Sequence, residues 1–184
     1  MLLISGSLRA GSVNAAVLKT AQQVAPSTVV TRLYQSLSEL PHFNPDDDRE
    51  PLNRVVAELR AEIGRADAIL FSTPEYAGAL PGSLKNLLDW SVGGVEMNGK
   101  PVAWINAASS AAVAGGEDAY ASLRRVLGYV GAHIVEPACI RVPTSRQDVD
   151  ADGTIRTSNI RSKIAASVAT LANTAKESFD ENRS

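Results

Sequence analysis

Apolar, β-branched runs alternate with stretches of helical period along the whole of this chain, and that alternation is its strongest constraint on the fold. The runs expected as strands are residues 2–5, 28–33, 68–72, 101–106 and 134–140. Between them, Val17, Ala21 and Val24 recur at i, i+4, i+7, while Leu52, Val55, Val56 and Leu59 mark a second amphipathic helix. Leu84, Leu87 and Leu88 mark a third, Leu123, Val126, Leu127 and Val130 a fourth, and Ile160, Ile164, Val168 and Leu171 a fifth. Strand and helix thus alternate five times. A strand that must return parallel to its neighbour needs a crossover, and a helix is the usual one, so the reading is α/β with helices on both faces of a parallel sheet.

Right-handed crossovers leave few topologies for five such units. The flavodoxin-like order 2-1-3-4-5 is the common one, a five-stranded parallel sheet whose crevice opens at the carboxyl ends of strands 1 and 3. With 184 residues, no linker-like stretch and no internal repeat, the chain reads as a single domain, 1–184. Eighteen basic against twenty acidic residues form no basic stripe, so nucleic acid is not an expected partner. No apolar run reaches the length of a membrane span and no signal peptide is evident, and the single cysteine, Cys139, suits a reducing compartment. A soluble, cytoplasmic protein without a membrane partner is expected. The acidic run "NPDDDRE" at 44–50 reads as a solvated loop leading into the second helix.

The loop after the first strand, "SGSLRAGSVNAA", feeds a helix N-terminus, where unpaired N–H groups and the helix dipole favour an anion. Ser7 and Ser12 can donate hydroxyl hydrogens, Arg9 offers a charge-assisted fork, and Asn14 can cap the helix or donate its amide. Gly6 and Gly11 leave the backbone free to approach a ligand. A phosphate monoester fits this set. A P-loop does not, because Ser12 stands where its lysine belongs, and the GxGxxG fingerprint fails at Leu8. The same residues would also serve as ordinary turn and cap residues.

After the third strand, Pro74 and Pro81 bracket "EYAGAL" and stiffen a short loop beside the first. A rigid backbone edge with Tyr76 upon it can meet a heteroaromatic ring, or the loop can simply shape a strand-to-helix turn. Ring and phosphate sites in adjacent loops point to a mononucleotide.

Taken together, "GSLRAGSVN" and "PEYAGALPGSLKNLLDW" resemble the two signature loops of the NADPH-dependent FMN reductase family, flavodoxin-like flavoenzymes that include quinone, azo and chromate reductases. The resemblance covers residue 1 to about residue 140. It implies FMN phosphate contacts at Ser7, Arg9, Ser12 and Asn14, with the backbone at Val13, and isoalloxazine contacts at Pro74, Glu75 and Tyr76. Ala77 stands where the family often has Asn, which leaves a backbone contact there. A third family loop, SPGxxGG, is matched by "SAAVAGG" at Ser110, Gly115 and Gly116, with Ala111 and Ala112 in place of the proline and first glycine. Ser110 and Gly115 are accordingly expected at the cofactor. The resemblance further implies an NAD(P)H oxidoreductase that passes electrons through FMN to a small-molecule acceptor such as a quinone, azo compound or flavin, with NADPH or NADH as co-substrate. It also implies a homodimer or homotetramer; Trp90, on a helix face with Ser83 and Asn86, is expected either to meet a partner there or to fold back onto its own domain.

Flavin chemistry needs orientation and hydrogen bonds rather than an obligatory acid or base, so no catalytic side chain is assigned. His42 and His133 lack companions at metal-ligand spacing, and no metal is expected. Cys139 falls in an expected buried strand as a small hydrophobe, and Glu117 and Asp118 read as helix-start residues. The GxSxG elbow of a serine hydrolase is absent. Two other readings stay open from the sequence: an FMN electron carrier without nicotinamide turnover, and a cofactor-free regulatory domain on the same fold.

Overall fold

The computed structural model describes residues 1–109 and 115–181, the side chains of 179–181 excepted. Its strands are β1 (Leu2–Ser5), β2 (Arg32–Leu33), β3 (Ile69–Ser72), β4 (Pro101–Asn106), β5 (His133–Ile134) and β6 (Ile140–Arg141). The helices are α1 (Val13–Val24), α2 (Arg54–Arg65), α3 (Gly82–Trp90), α4 (Glu117–Tyr129) and α5 (Ser158–Glu181). The sheet runs β2-β1-β3-β4-β5 with every pairing parallel, the expected order. Alternation along the strands divides the core between two faces. Leu2, Ile4, Ile69, Phe71, Val102 and Trp104 pack with the apolar stripes of α2, α3 and α4. Leu3, Leu70, Ala103 and Ile105 pack with α1 and α5 on the other side. Among the described residues no helix is long and apolar enough to cross a membrane.

Two strands depart from the sequence reading. Pairing of the second begins at Arg32 rather than residue 28, because the chain leaves α1 through a turn closed by Val29 N–H to the Pro26 carbonyl, 2.8 Å, and comes alongside Met1 where the terminal ammonium donates to Val30 O and Arg32 N–H to Met1 O. The fifth strand, expected as one run over 134–140, is broken by a 3-10 turn at Glu136–Ala138. Pro137 has no N–H for a ladder, so the chain detours there and rejoins β4 as β6, with Ile105 opposite Ile140 and Asn106 opposite Arg141. Cys139 therefore sits at the end of a turn, half-buried, rather than inside a strand.

Trp90 is not free to meet a partner: it is 1% exposed. Its indole N–H donates to Pro41 O at 2.8 Å and its ring meets Phe43 edge-on at 5.0 Å. Asn86 holds the same loop, donating to Pro41 O and accepting from Phe43 N–H, each at 2.8 Å. The helix face read as a partner surface instead anchors residues 41–43 to the molecule's own core, because an indole buries a large area once its N–H finds an acceptor. The acidic run is exposed as expected over residues 44–47 and at Arg49 and Glu50, and only Asp48 turns inward. Asp48 pairs with Arg60 at 2.7 Å, both side chains largely buried, and Arg60 also donates to Trp90 O.

Candidate functional site

At the carboxyl end of β1 the chain turns into α1 through hydrogen bonds of its own serines. Ser5 Oγ accepts from Ser7 N–H at 3.2 Å, Ser7 Oγ from Arg9 N–H at 3.3 Å, and Ser12, the N-cap, from Ala15 N–H at 3.0 Å. Each hydroxyl of Ser7 and Ser12 uses a lone pair in these bonds and keeps its hydrogen available to an anion. The first turn of α1 carries no acidic residue, and the Val13 and Asn14 N–H groups have no partner among the described residues. Arg9 is exposed and makes no ion pair among them. Gly6 lets this loop approach the next one closely, since a Cβ there would run into the Thr73 hydroxyl and stand 2.6 Å from the Thr73 Cβ. Asn14 Oδ1 accepts from Ser72 Oγ at 2.9 Å, which ties the loop to β3 and leaves the Asn14 amide N–H groups without a partner among the described residues.

Beyond β3, Tyr76 and Ala79 exchange two backbone hydrogen bonds of 3.1 Å around Ala77 and Gly78. Both central residues have positive φ, +51° and +69°, the signature of a type I′ turn. This tight turn presents Tyr76, 56% exposed, at the rim beside the first loop. Glu75 does not point freely outward. Its Oε2 accepts from Ala119 N–H at 3.1 Å and so occupies the N-terminus of α4.

A third element joins these loops. The phenol of Tyr120, wholly buried on α4, accepts from Thr73 N–H at 3.1 Å and lies 2.8 Å from Ile105 O, to which it donates. Burial holds that hydroxyl protonated far above the usual phenol range. Asn106, at the end of β4, donates to Gly115 O and accepts from Ala108 N–H, both at 2.9 Å. Gly115 and Gly116 both take left-handed backbone, +57° and +78°, and Gly116 caps α4. Ser110, with Ala111 and Ala112, lies outside the described residues.

Residues 1–147 match the NADPH-dependent FMN reductase family. The chain belongs to that family. It is 35% identical over 155 residues to an NAD(P)H-dependent FMN reductase of Pseudomonas aeruginosa, covering 83% of this chain and 82% of that one. It is 32% identical to a quinone reductase of Escherichia coli, over 73% of this chain and 72% of the other. Its fold superposes on the flavoenzyme NAD(P)H:acceptor oxidoreductase of Paracoccus denitrificans with a TM-score of 0.74 and 28% identity, over 94% and 96% of the two chains.

For this reductase the residues present fit FMN on two counts. Hydroxyls, a guanidinium and unpaired helix N–H groups converge after β1, where a phosphate monoester needs charge-assisted donors. The exposed Tyr76 ring and the stiff turn edge stand on the neighbouring strand, where a flat ring needs a platform. The structure brings Ser7, Arg9, Ser12, Val13 and Asn14 together on one loop and helix start, Pro74 through Ala77 on the next loop, and Gly115 behind them. Sequence reasoning missed Ser72, Thr73, Asn106 and Tyr120. Tyr120 had a signal, for it stands three residues before Leu123 on the apolar stripe of α4, and Asn106 is the one polar end of an apolar strand. Cys139 donates to Val135 O at 3.5 Å, and burial pushes its thiol up to about 11, so it is no nucleophile at neutral pH. Among the described residues no group of three His, Cys, Asp or Glu side chains could hold a metal ion.

Proposed function

We propose that this reductase binds one FMN in the crevice and uses it to pass two electrons from NADPH or NADH to a small quinone-type acceptor. One observation carries the reading: a helix start whose donors at Ser7, Arg9, Ser12, Val13 and Asn14 are unpartnered among the described residues follows β1, next to a tight turn with Tyr76 after β3. The hydride chemistry is FMN's own when bound. The chain's part is to hold the phosphate at the first loop and to orient the ring along Pro74, Glu75, Tyr76 and Ala77. Ser110 and Gly115 contribute from the third loop. The names of the relatives, an FMN reductase and a quinone reductase, support the same acceptor class.

Cofactor released from the purified protein by denaturation is expected to be FMN, and NADPH or NADH oxidation is expected to depend on an added quinone. Release of FAD alone, or apo protein that takes up no FMN on titration, overturns the reading. A single open ring face serving donor and acceptor in turn gives ping-pong kinetics, read as parallel double-reciprocal plots.

The two core clusters share one sheet, which supports a single domain. The lone, protonated Cys139 supports a cytoplasmic setting. A homodimer or homotetramer is proposed with Val92, Val95 and Tyr129 as its apolar contacts in place of Trp90, since these three stand exposed where Trp90 does not. Light scattering at micromolar concentration decides between that and a monomer.

A further inference from the structure

Arg141 is the last residue of β6 and pairs with Asn106, the last residue of β4, so its side chain starts from the carboxyl rim on which the crevice opens. The guanidinium lies over Gly115, where an added Cβ would stand 2.8 Å from the Arg141 Cζ. Gly115 is itself fixed by the Asn106 amide. The cation is therefore placed by the sheet and by a glycine with positive φ, not by an anion of the protein. Its ion pair with Glu117 spans 3.7 Å between side chains 44% and 77% exposed, a pair that contributes little. Among the described residues the Arg141 side chain makes no hydrogen bond, and its exposed guanidinium offers N–H donors at the rim.

A planar fork of that kind matches a phosphate or a carboxylate, and of these two groups the proposed nicotinamide co-substrate carries phosphate. The FMN phosphate is not its ligand. That group belongs to the loop after β1, and β3 and β4 lie between β1 and β6, about 14 Å at roughly 4.8 Å per strand. Arg141 thus stands on the far side of the Tyr76 turn from the phosphate loop, beyond the end assigned to the ring. A molecule that stacks on the ring and carries phosphates of its own would bring them there. Quinones carry none, and a nicotinamide dinucleotide carries two or three.

We propose that Arg141 binds a phosphate of the nicotinamide co-substrate. The inference rests on the proposed function, and its test keeps the two apart. FMN-loaded wild type, Arg141→Ala and Arg141→Lys are titrated calorimetrically with NADP+ and NAD+, and their turnover of NADPH is compared with that of 1-benzyl-1,4-dihydronicotinamide, a hydride donor without phosphate. In Arg141→Ala the Kd for NADP+ rises roughly 10- to 100-fold, the range for a hydrogen bond to a charged group, and Lys restores part of the loss. A rise confined to NADP+ assigns the 2′-phosphate, and an equal rise for NAD+ assigns the pyrophosphate. In both cases kcat/KM for NADPH falls relative to the phosphate-free donor. Arg125→Ala, which removes an exposed cation of α4, shifts neither ratio. Unchanged nucleotide affinities, or a loss shared equally by the phosphate-free donor, overturn the inference and leave Arg141 as a support for the Gly115 loop. Failure of the wild type to load FMN shows in its visible spectrum before any nucleotide is added, and it overturns the proposed function and this inference together.

Discussion

The loop after β1 and the loop after β3 open on the same crevice but are built in opposite ways. In the first, the polar groups proposed to meet FMN are available: among the described residues Arg9 has no ion pair, Val13 and Asn14 N–H have no partner, and the Ser7 and Ser12 hydroxyls keep their hydrogens. In the second, polar groups are engaged by the fold. Glu75 occupies the start of α4, Thr73 N–H is taken by Tyr120, and Ala77 is held in left-handed backbone that a non-glycine residue adopts only at a cost. On the proposed function the first loop is a source of affinity, the second a source of position.

Arg9→Ala breaks the comparison on the affinity side and has the largest expected effect. Loss of a charge-assisted bond to phosphate, about 1.5–3 kcal/mol, weakens FMN binding by roughly 10- to 150-fold and riboflavin binding much less. Titration of the apo protein with both flavins measures this, and an unchanged preference for FMN removes Arg9 from the phosphate site.

Tyr120→Phe tests the positioning side. It leaves Thr73 N–H without its buried acceptor and Ile105 O with the Ser72 hydroxyl as its remaining side-chain donor, which costs about 1–3 kcal/mol of folding stability by urea denaturation. FMN and riboflavin affinities should shift together, because ring geometry is common to both ligands. Alkaline titration sharpens the same point. The phenol ionises near pH 10 in the unfolded chain and well above that in the folded one, so its contribution is complete below pH 10 and declines as pH rises beyond it. In Tyr120→Phe the decline above pH 10 is shallower; Tyr34, raised in the same direction by its burial, retains its share.

Ala77→Gly carries the smallest effect and the opposite sign. Relief of left-handed strain at the first central position of a type I′ turn should stabilise the fold by about 1 kcal/mol, and Ala77→Asn should do so in part. Thermal unfolding of the apo protein reads this directly. A loss of stability in both variants would show that the Ala77 methyl makes a contact worth more than the strain.

Much of this molecule follows from neighbours in sequence. Strand and helix periods and the loop after β1 depend on residues within a dozen positions of one another, and Ser7, Arg9, Ser12 and Asn14 reach one helix start because the chain itself carries them there. Pro137 was equally local, yet a buried apolar run masked it, and only the pairing of β4 with two short strands displays its consequence. Other features required distant segments to meet. Trp90 could face a partner or its own loop, and the acceptor that decided, Pro41 O, lies 49 residues away. Tyr120 reaches Thr73 across 47 residues, and Arg141 reaches Gly115 only because β6 lands beside β4. Composition and spacing by themselves determined the fold class and the capped helix start after β1, because caps and amphipathic periods are short-range properties of the chain. Tertiary structure alone decided which buried polar groups answer one another, because a hydrogen bond between remote residues exists only after the sheet has brought its strands together.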